Sequence, residues 1–127
     1  MATRIGIEEL QAGLTGFYGT QDYHRWSSLF SRHVLTDGCE YLAENAGAYW
    51  LMDAIASHFA KYRGESFASV TLRKCKTGPR WSLTIDNGNG LMLAKQLIEY
   101  SDFPLPEIQL FVARQENLWV IMLPSEY

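Results

Sequence analysis

The residues able to do chemistry are few and scattered. There are three histidines, His24, His33 and His58, and two cysteines, Cys39 and Cys75. No two histidines stand four apart and neither cysteine lies at a chelating spacing, so no metal site is expected. A His24–His33–Asp37 set would have to be assembled by the fold from separate positions. Neither a GxSxG elbow nor a GxxxxGK[ST] phosphate loop occurs. Gly13, Gly16 and Gly19 recur every third residue with no strand before them, which reads as turns after a helix and not as a dinucleotide fingerprint. Asp53 interrupts the apolar run from Trp50 to Ile55, and with Asp37 or His58 it makes the best acid–base set the chain offers. On a helix it lies four residues from both Tyr49 and Ser57, which also gives it an ordinary place on a solvated face. Tyr23-His24-Arg25-Trp26 mixes rings with positive charge. Such rings either stack on bases or a protein surface, or form core with Arg25 left outside. No cofactor is implied and no catalytic set is defined.

The elements that must position these side chains follow from periodicity. Ile7, Leu10 and Leu14 predict a short helix over 7–13. Thr36 or Asp37 caps the next helix, with Glu40 three residues after Asp37 as a capping-box partner. Gly47 breaks the chain, and Leu51, Ile55 and Phe59 at i, i+4, i+8 predict a long helix over 48–62 ended by Gly64. The period then switches to two. Ala68, Val70 and Leu72 predict one strand, and Trp81, Leu83 and Ile85 a second after the turn Lys76-Thr77-Gly78-Pro79. Asp86-Asn87-Gly88-Asn89-Gly90 is a hairpin signal. Residues 91–100 suit strand or helix by pattern, and the preceding turn favours strand. Ile108-Leu110-Val112 and Leu118-Val120-Met122 complete the set. Helices followed by strands is the α+β order. The expected fold is one domain over 1–127, with helices over about 6–62 packed on one face of a four- to five-stranded antiparallel meander over about 66–123.

At 127 residues, with 47 % hydrophobic and 20 % charged side chains, the chain is neither disordered nor a coiled coil nor a disulfide scaffold. The N-terminus shows no signal-peptide pattern, no stretch is long and apolar enough to span a membrane, and the two cysteines suit free thiols; a cytoplasmic location is expected. The net charge of −3 is uneven. Lys61, Arg63, Arg73, Lys74, Lys76 and Arg80 face Glu65 alone within 61–80, between acidic flanks. That island reads as a sheet edge protected by cations or as a contact for phosphate or an acidic surface.

Several strings occur together: Thr36-Asp37-Gly38, Tyr41-Leu42-Ala43-Glu44, Ala46-Gly47-Ala48-Tyr49-Trp50-Leu51 with Asp53-Ala54-Ile55-Ala56, Asp86-Asn87-Gly88-Asn89, Asp102-Phe103-Pro104-Leu105 and Leu123-Pro124-Ser125-Glu126-Tyr127. In these the chain resembles, from about Leu14 onward, a family of small bacterial proteins of unknown function carried on plasmids, prophages and other mobile elements. The resemblance supplies no activity and no functional residues. It implies a context in which small proteins inhibit host defence, as anti-CRISPR or anti-restriction proteins do, by binding and not by catalysis.

The leading expectation is therefore a non-enzymatic binding protein that occludes a host protein or ribonucleoprotein complex. Acidic mimicry of nucleic acid would use the exposed members of Glu40, Glu44, Glu99, Asp102 and Glu107. The alternative is a nucleic-acid-binding module using Arg73, Lys74, Lys76 and Arg80 with Trp81 stacking on bases. A third is a small hydrolase-like enzyme built on Asp37, Asp53 and a histidine. A homodimer through the strand 118–123, as a free edge, is also open to this chain.

Overall fold

The computed structural model describes residues 6–59 and 66–127. Lys61, Arg63 and Glu65 of the basic island and the expected helix end at 60–64 thus lie outside the described residues. In chain order the elements are α1 (Ile7–Leu14), β1 (His33–Leu35), α2 (Asp37–Ala46), α3 (Tyr49–Phe59), β2 (Phe67–Lys74), β3 (Trp81–Asp86), β4 (Met92–Ile98), β5 (Glu107–Gln115) and β6 (Leu118–Met122), with a short 3-10 turn at Pro124–Glu126. The strands form one sheet in the order β1-β6-β5-β2-β3-β4.

The alternating pattern does what a period of two requires. Ala68, Val70 and Leu72 of β2 and Trp81, Leu83 and Ile85 of β3 are buried on one face, where Leu110 and Val112 of β5 and Ile121 of β6 join them. The apolar sides of the helices close over that face through Leu10, Leu42, Leu51, Ile55 and Phe59. On the other face Val34, Val120 and Met122 make a smaller cluster with Phe111. There the rings of Phe67, Phe111 and Tyr127 meet edge to face at 5.0 to 5.7 Å. Gly47 closes α2 in the left-handed conformation (φ 63°), and this lets the Ala48 N–H donate to the Ala43 carbonyl at 2.9 Å as the chain turns into α3.

The α+β class stands as expected, and α1, α2 and α3 all precede β2; β1, however, falls between α1 and α2, and the sheet is six-stranded and mixed and departs from a meander. Three differences matter. β2, β3 and β4 do follow one another as hairpins, and residues 91–100 do form a strand. The chain then leaves the β4 edge, and β5 pairs with the opposite side of β2. The connection from 99 to 106 carries no hairpin turn. Instead it buries Phe103 and Leu105, with Phe103 edge-on to Trp81 at 6.0 Å, and Lys74 N–H donates to the Pro106 carbonyl at 3.0 Å. Second, β6 lies between β5 and β1, so the strand expected as a free dimerising edge is an interior strand. Third, β1 pairs in parallel with β6. Its three residues are too few to show a period, which is why the sequence pattern does not reveal it.

A carboxylate near the C-terminus ties this arrangement together. Thr36 is the N-cap of α2, and its Oγ1 accepts the Cys39 N–H at 3.3 Å. The Thr36 hydroxyl donates to Glu126 Oε1 at 2.6 Å, and the Gly38 N–H donates to Oε2 at 3.0 Å. The Leu123 N–H completes the set on Oε1 at 3.0 Å, and the Thr36 N–H donates to the Ile121 carbonyl at 3.1 Å. A carboxylate at a helix N-terminus is favoured by both the free amides and the helix dipole. Gly38 leaves the room: a Cβ there would stand 2.5 Å from Glu126 Oε1 and 2.6 Å from Leu123 Cδ1. Replacing Glu126 with Ala is expected to lower stability by about 1–3 kcal/mol, since partly buried donors lose a charged acceptor. Urea denaturation checks this; a midpoint equal to wild type would show the contact to be dispensable.

Candidate functional site

The loop from Thr15 to Arg32 wraps the outer side of β1 and the start of α2. Its fixed point is His24, whose backbone exchanges two hydrogen bonds with Leu35, each 2.8 Å. Because Thr36 takes the cap position, Asp37 and Glu40 fall three apart in the first turn of α2 and share one face. His24 sits between them. Its Nε2 lies 2.7 Å from Asp37 Oδ1 and its Nδ1 3.0 Å from Glu40 Oε2. Both contacts are satisfied together only when both ring nitrogens carry protons, as in the imidazolium. The remaining Asp37 oxygen accepts the Gln21 N–H at 3.0 Å, and Thr20 Oγ1 accepts the Asp37 N–H at 2.9 Å.

The electrostatics follow from the geometry. The hydrogen bond His24 donates to Asp37, against a smaller opposing effect of burial and with help from the Glu40 charge, holds the His24 pKa above its ordinary 6.5. The same hydrogen bond, with that from Gln21, holds the Asp37 carboxyl below its ordinary 3.8. His33 differs in kind. It is buried, its ring is edge-on to Phe30 at 5.8 Å, and among the described residues neither ring nitrogen has a partner. Burial pushes its pKa down.

Two adjoining open clefts flank this clasp. One, of about 370 Å³, runs past His24, Trp26, Glu40, Tyr49 and Asp53. The other, of about 520 Å³, is walled by Leu29, Phe30, Trp50, Ala54, Gln96 and Ile98. Ser27 and Asp53 border both. Asp53 is exposed, as its place on α3 implied, and accepts the Trp26 indole N–H at 2.8 Å. Trp26 then stacks on Phe30 at 6.3 Å, which leaves Leu29 at the loop tip 80 % exposed.

The acid–base candidates thus share a neighbourhood, but their polar atoms hold the protein together. His24 has no free ring nitrogen to take a proton from a substrate. The Tyr49 hydroxyl donates to Glu44 Oε2 at 3.1 Å, and its pKa is pushed up to about 12 by burial and that carboxylate. His58 Nε2 contacts Gln96 Oε1 at 2.9 Å. Among the described residues no group of three or more His, Cys, Asp or Glu side chains is arranged to hold a metal ion. His24 stands at hydrogen-bonding distance from its two carboxylates, and the separate, buried His33 does not complete the set with Asp37.

The charged candidates divide in an unexpected way. Glu40 and Glu44 lie on α2, engaged by His24 and Tyr49. Glu107 pairs with Arg73 and Glu99 with Arg80, so acidic and basic candidates bind one another. Asp102 is exposed in the 99–106 connection, and Lys74 and Lys76 are exposed beside the turn of the β2–β3 hairpin. Trp81 is a correction: it is 3 % exposed, packed under Phe103 in the core, and has no face to offer a base. Its period-two spacing with Leu83 and Ile85 already pointed inward. The sequence pattern offers Glu40 as a capping partner of Asp37, whereas in the fold Thr36 caps and Glu40 meets His24. Two carboxylates at i and i+3 in a helix's first turn, lacking a cation in sequence, was the available signal.

The profile of a family of unknown function, DUF6876, matches residues 8–127. The chain belongs to that family. No curated protein and no solved structure matches it. None of the helices among the described residues is long and apolar enough to cross a membrane.

The two histidines give opposite pH dependences. His24, with a raised pKa, contributes stability that is fully present below 6.5 and is lost as pH rises through its higher folded value. Asp37 contributes above 3.8 and loses its contribution as pH falls through its lower folded value. His33, with a lowered pKa, favours the fold above 6.5 and opposes it as pH falls toward the folded value. His33→Leu should therefore stabilise the protein by about 1 kcal/mol, because two unpartnered polar atoms leave the interior, and should remove the loss on mild acidification. In that background the urea midpoint should fall as pH rises above 6.5, and His24→Gln should abolish the fall. A midpoint flat from pH 6 to 9 with His24 present would refute the clasp.

Proposed function

We propose that the protein is a non-enzymatic binding protein, and that it works by covering a partner's surface with the flank formed by Leu29, α3 and β4. One observation carries the reading. Of nine large hydrophobic side chains exposed among the described residues, four lie in or next to β4 (Leu91, Met92, Leu97 and Tyr100, with Leu97 on its helix-free face) and a fifth, Leu29, borders the cleft on its other face; each is more than half exposed. Side chains of this kind scattered singly are ordinary; concentrated along one strand and beside a cleft, they mark an interaction surface. The engagement of the acid–base candidates in internal contacts supports binding over catalysis.

The partner class we propose is a host defence complex of the kind met by mobile elements. That part rests on the resemblance to small proteins carried on plasmids and prophages. Acidic mimicry is the weaker form of the proposal, because Glu40, Glu44, Glu99 and Glu107 already have partners. The basic hairpin is weaker as a nucleic-acid surface for the same reason, with Arg73 and Arg80 paired and Trp81 buried.

Leu29→Asp tests the reading. Leu29 is a solvent-exposed loop residue, so the change should move stability by no more than about 0.5 kcal/mol. Affinity purification of tagged protein from a bacterial host with intact defence systems, with nuclease treatment, should recover one stoichiometric complex with the wild type. Recovery with Leu29→Asp should fall about tenfold or more, as for an interface anchor. Equal recovery by both proteins would contradict the assignment of this flank.

A further inference from the structure

We propose that β4 accepts an extended segment of a partner protein as a seventh strand, with an acidic side chain of that segment beside Lys95 and apolar side chains at alternate positions in the cleft under Leu29. The inference rests on the binding reading above and names the partner's chemistry.

The sheet has two edges, and they are not equivalent. β1 is three residues long, and its outer side is already occupied at Leu35 by the two backbone hydrogen bonds of His24. β4 is seven residues long, pairs with β3 on one side, and has no strand on the other among the described residues. Leu93 has a further interaction of its own, so the outward-pointing backbone N–H and C=O groups open to a further strand are those from Ala94 to Ile98. No proline interrupts it.

The register assigns the two faces. Ala94, Gln96 and Ile98 stand opposite Ile85, Leu83 and Trp81, whose side chains face the helices. Gln96 and Ile98 consequently line the 520 Å³ cleft with Leu29, Phe30, Trp50 and Ala54. A strand added at β4 would direct alternate side chains toward this apolar space, and side-chain pockets of this kind give strand addition its specificity. Lys95 and Leu97 stand opposite Thr84 and Ser82 and belong to the other face. Lys95 is exposed at the midpoint of the strand, and its cross-strand neighbour Thr84 carries no charge. Among the described residues it has no ion pair.

The charge selects the occupant. If β4 pairs in full antiparallel register with its counterpart in a second copy, the two Lys95 ammoniums stand directly opposite each other, which is unfavourable. A glutamate or aspartate at that position forms a favourable cross-strand pair. The edge thus disfavours in-register pairing with its own kind and fits an acidic strand with apolar residues at alternate positions.

The test uses the full chain and two synthetic octapeptides, one alternating valine with glutamate and the other alternating valine with lysine. Backbone amide NMR titration should place the shifts of the glutamate peptide on residues 94–98. Its affinity should exceed that of the lysine peptide about fivefold or more, the scale of a cross-strand charge preference. Lys95→Glu, an exposed change, should reverse the order. Equal binding of both peptides, binding of neither, shifts centred on Phe67 and Phe111, or β4 shifts that depend on protein concentration alone would each overturn the proposal. The partner-recovery assay separates the two readings. If Lys95→Glu retains the complex and Leu29→Asp loses it, strand addition fails and the binding flank stands. If both variants retain it, the flank itself fails.

Discussion

The first turn of α2 is the point on which the rest of the structure depends. Its amide groups need acceptors, and these come from both sides of the turn. Thr36 supplies the cap and Glu126, from the far end of the chain, supplies a carboxylate. That contact holds the 3-10 turn at 124–126 against α2 while Thr36 also bonds to Ile121 at the β6 end. With β6 fixed there, β1 lies parallel to it, and α2 begins where β1 stops. Asp37 and Glu40, freed from capping, turn outward and clamp His24, which in turn covers the edge of β1. The Glu126 carboxylate on one side of the turn and the His24 ring on the other thus define which edge of the sheet is closed.

Much of this was legible from residue order, and the parts that were not share a cause. Periodicity finds elements whose side chains repeat over several residues, so the three helices and β2, β3, β5 and β6 were expected where they lie. The Asp86–Gly90 turn resolved the ambiguity of 91–100 in favour of a strand. β1 escaped because three residues carry no period. The return of β5 to β2 escaped because Phe103 and Leu105 in the connection read as loop, although their burial against the core is what draws the chain across. The match of Glu126 to Thr36 and Gly38 spans most of the chain, and no local pattern encodes such a distance. The resembling strings around Thr36-Asp37-Gly38 and at Leu123–Tyr127 do meet in space, and their meeting is an N-terminal cap.

Residue types suited to chemistry are present, yet His24, Asp37, Glu40, Glu44 and Tyr49 are committed to one another. The charges of the hairpin and of the 99–107 segment are similarly joined through Arg73–Glu107 and Arg80–Glu99. Among the described residues, more than half of the exposed large hydrophobic side chains lie along or beside β4 and at the loop tip Leu29. The His24 clasp covers the β1 edge, while β4 has no strand on its outer side among the described residues.

The central claim, that this β4 flank meets a partner, is tested most directly by photo-crosslinking in cells, with a benzophenone amino acid incorporated in place of Leu29, Leu97 or Phe111 in turn. One discrete protein adduct is expected from positions 29 and 97 and none from 111, which shares the face of Leu97 but stands on the interior strand β5, three strands from the β4 edge. An adduct from 111 alone, or none from 29 and 97, would contradict it.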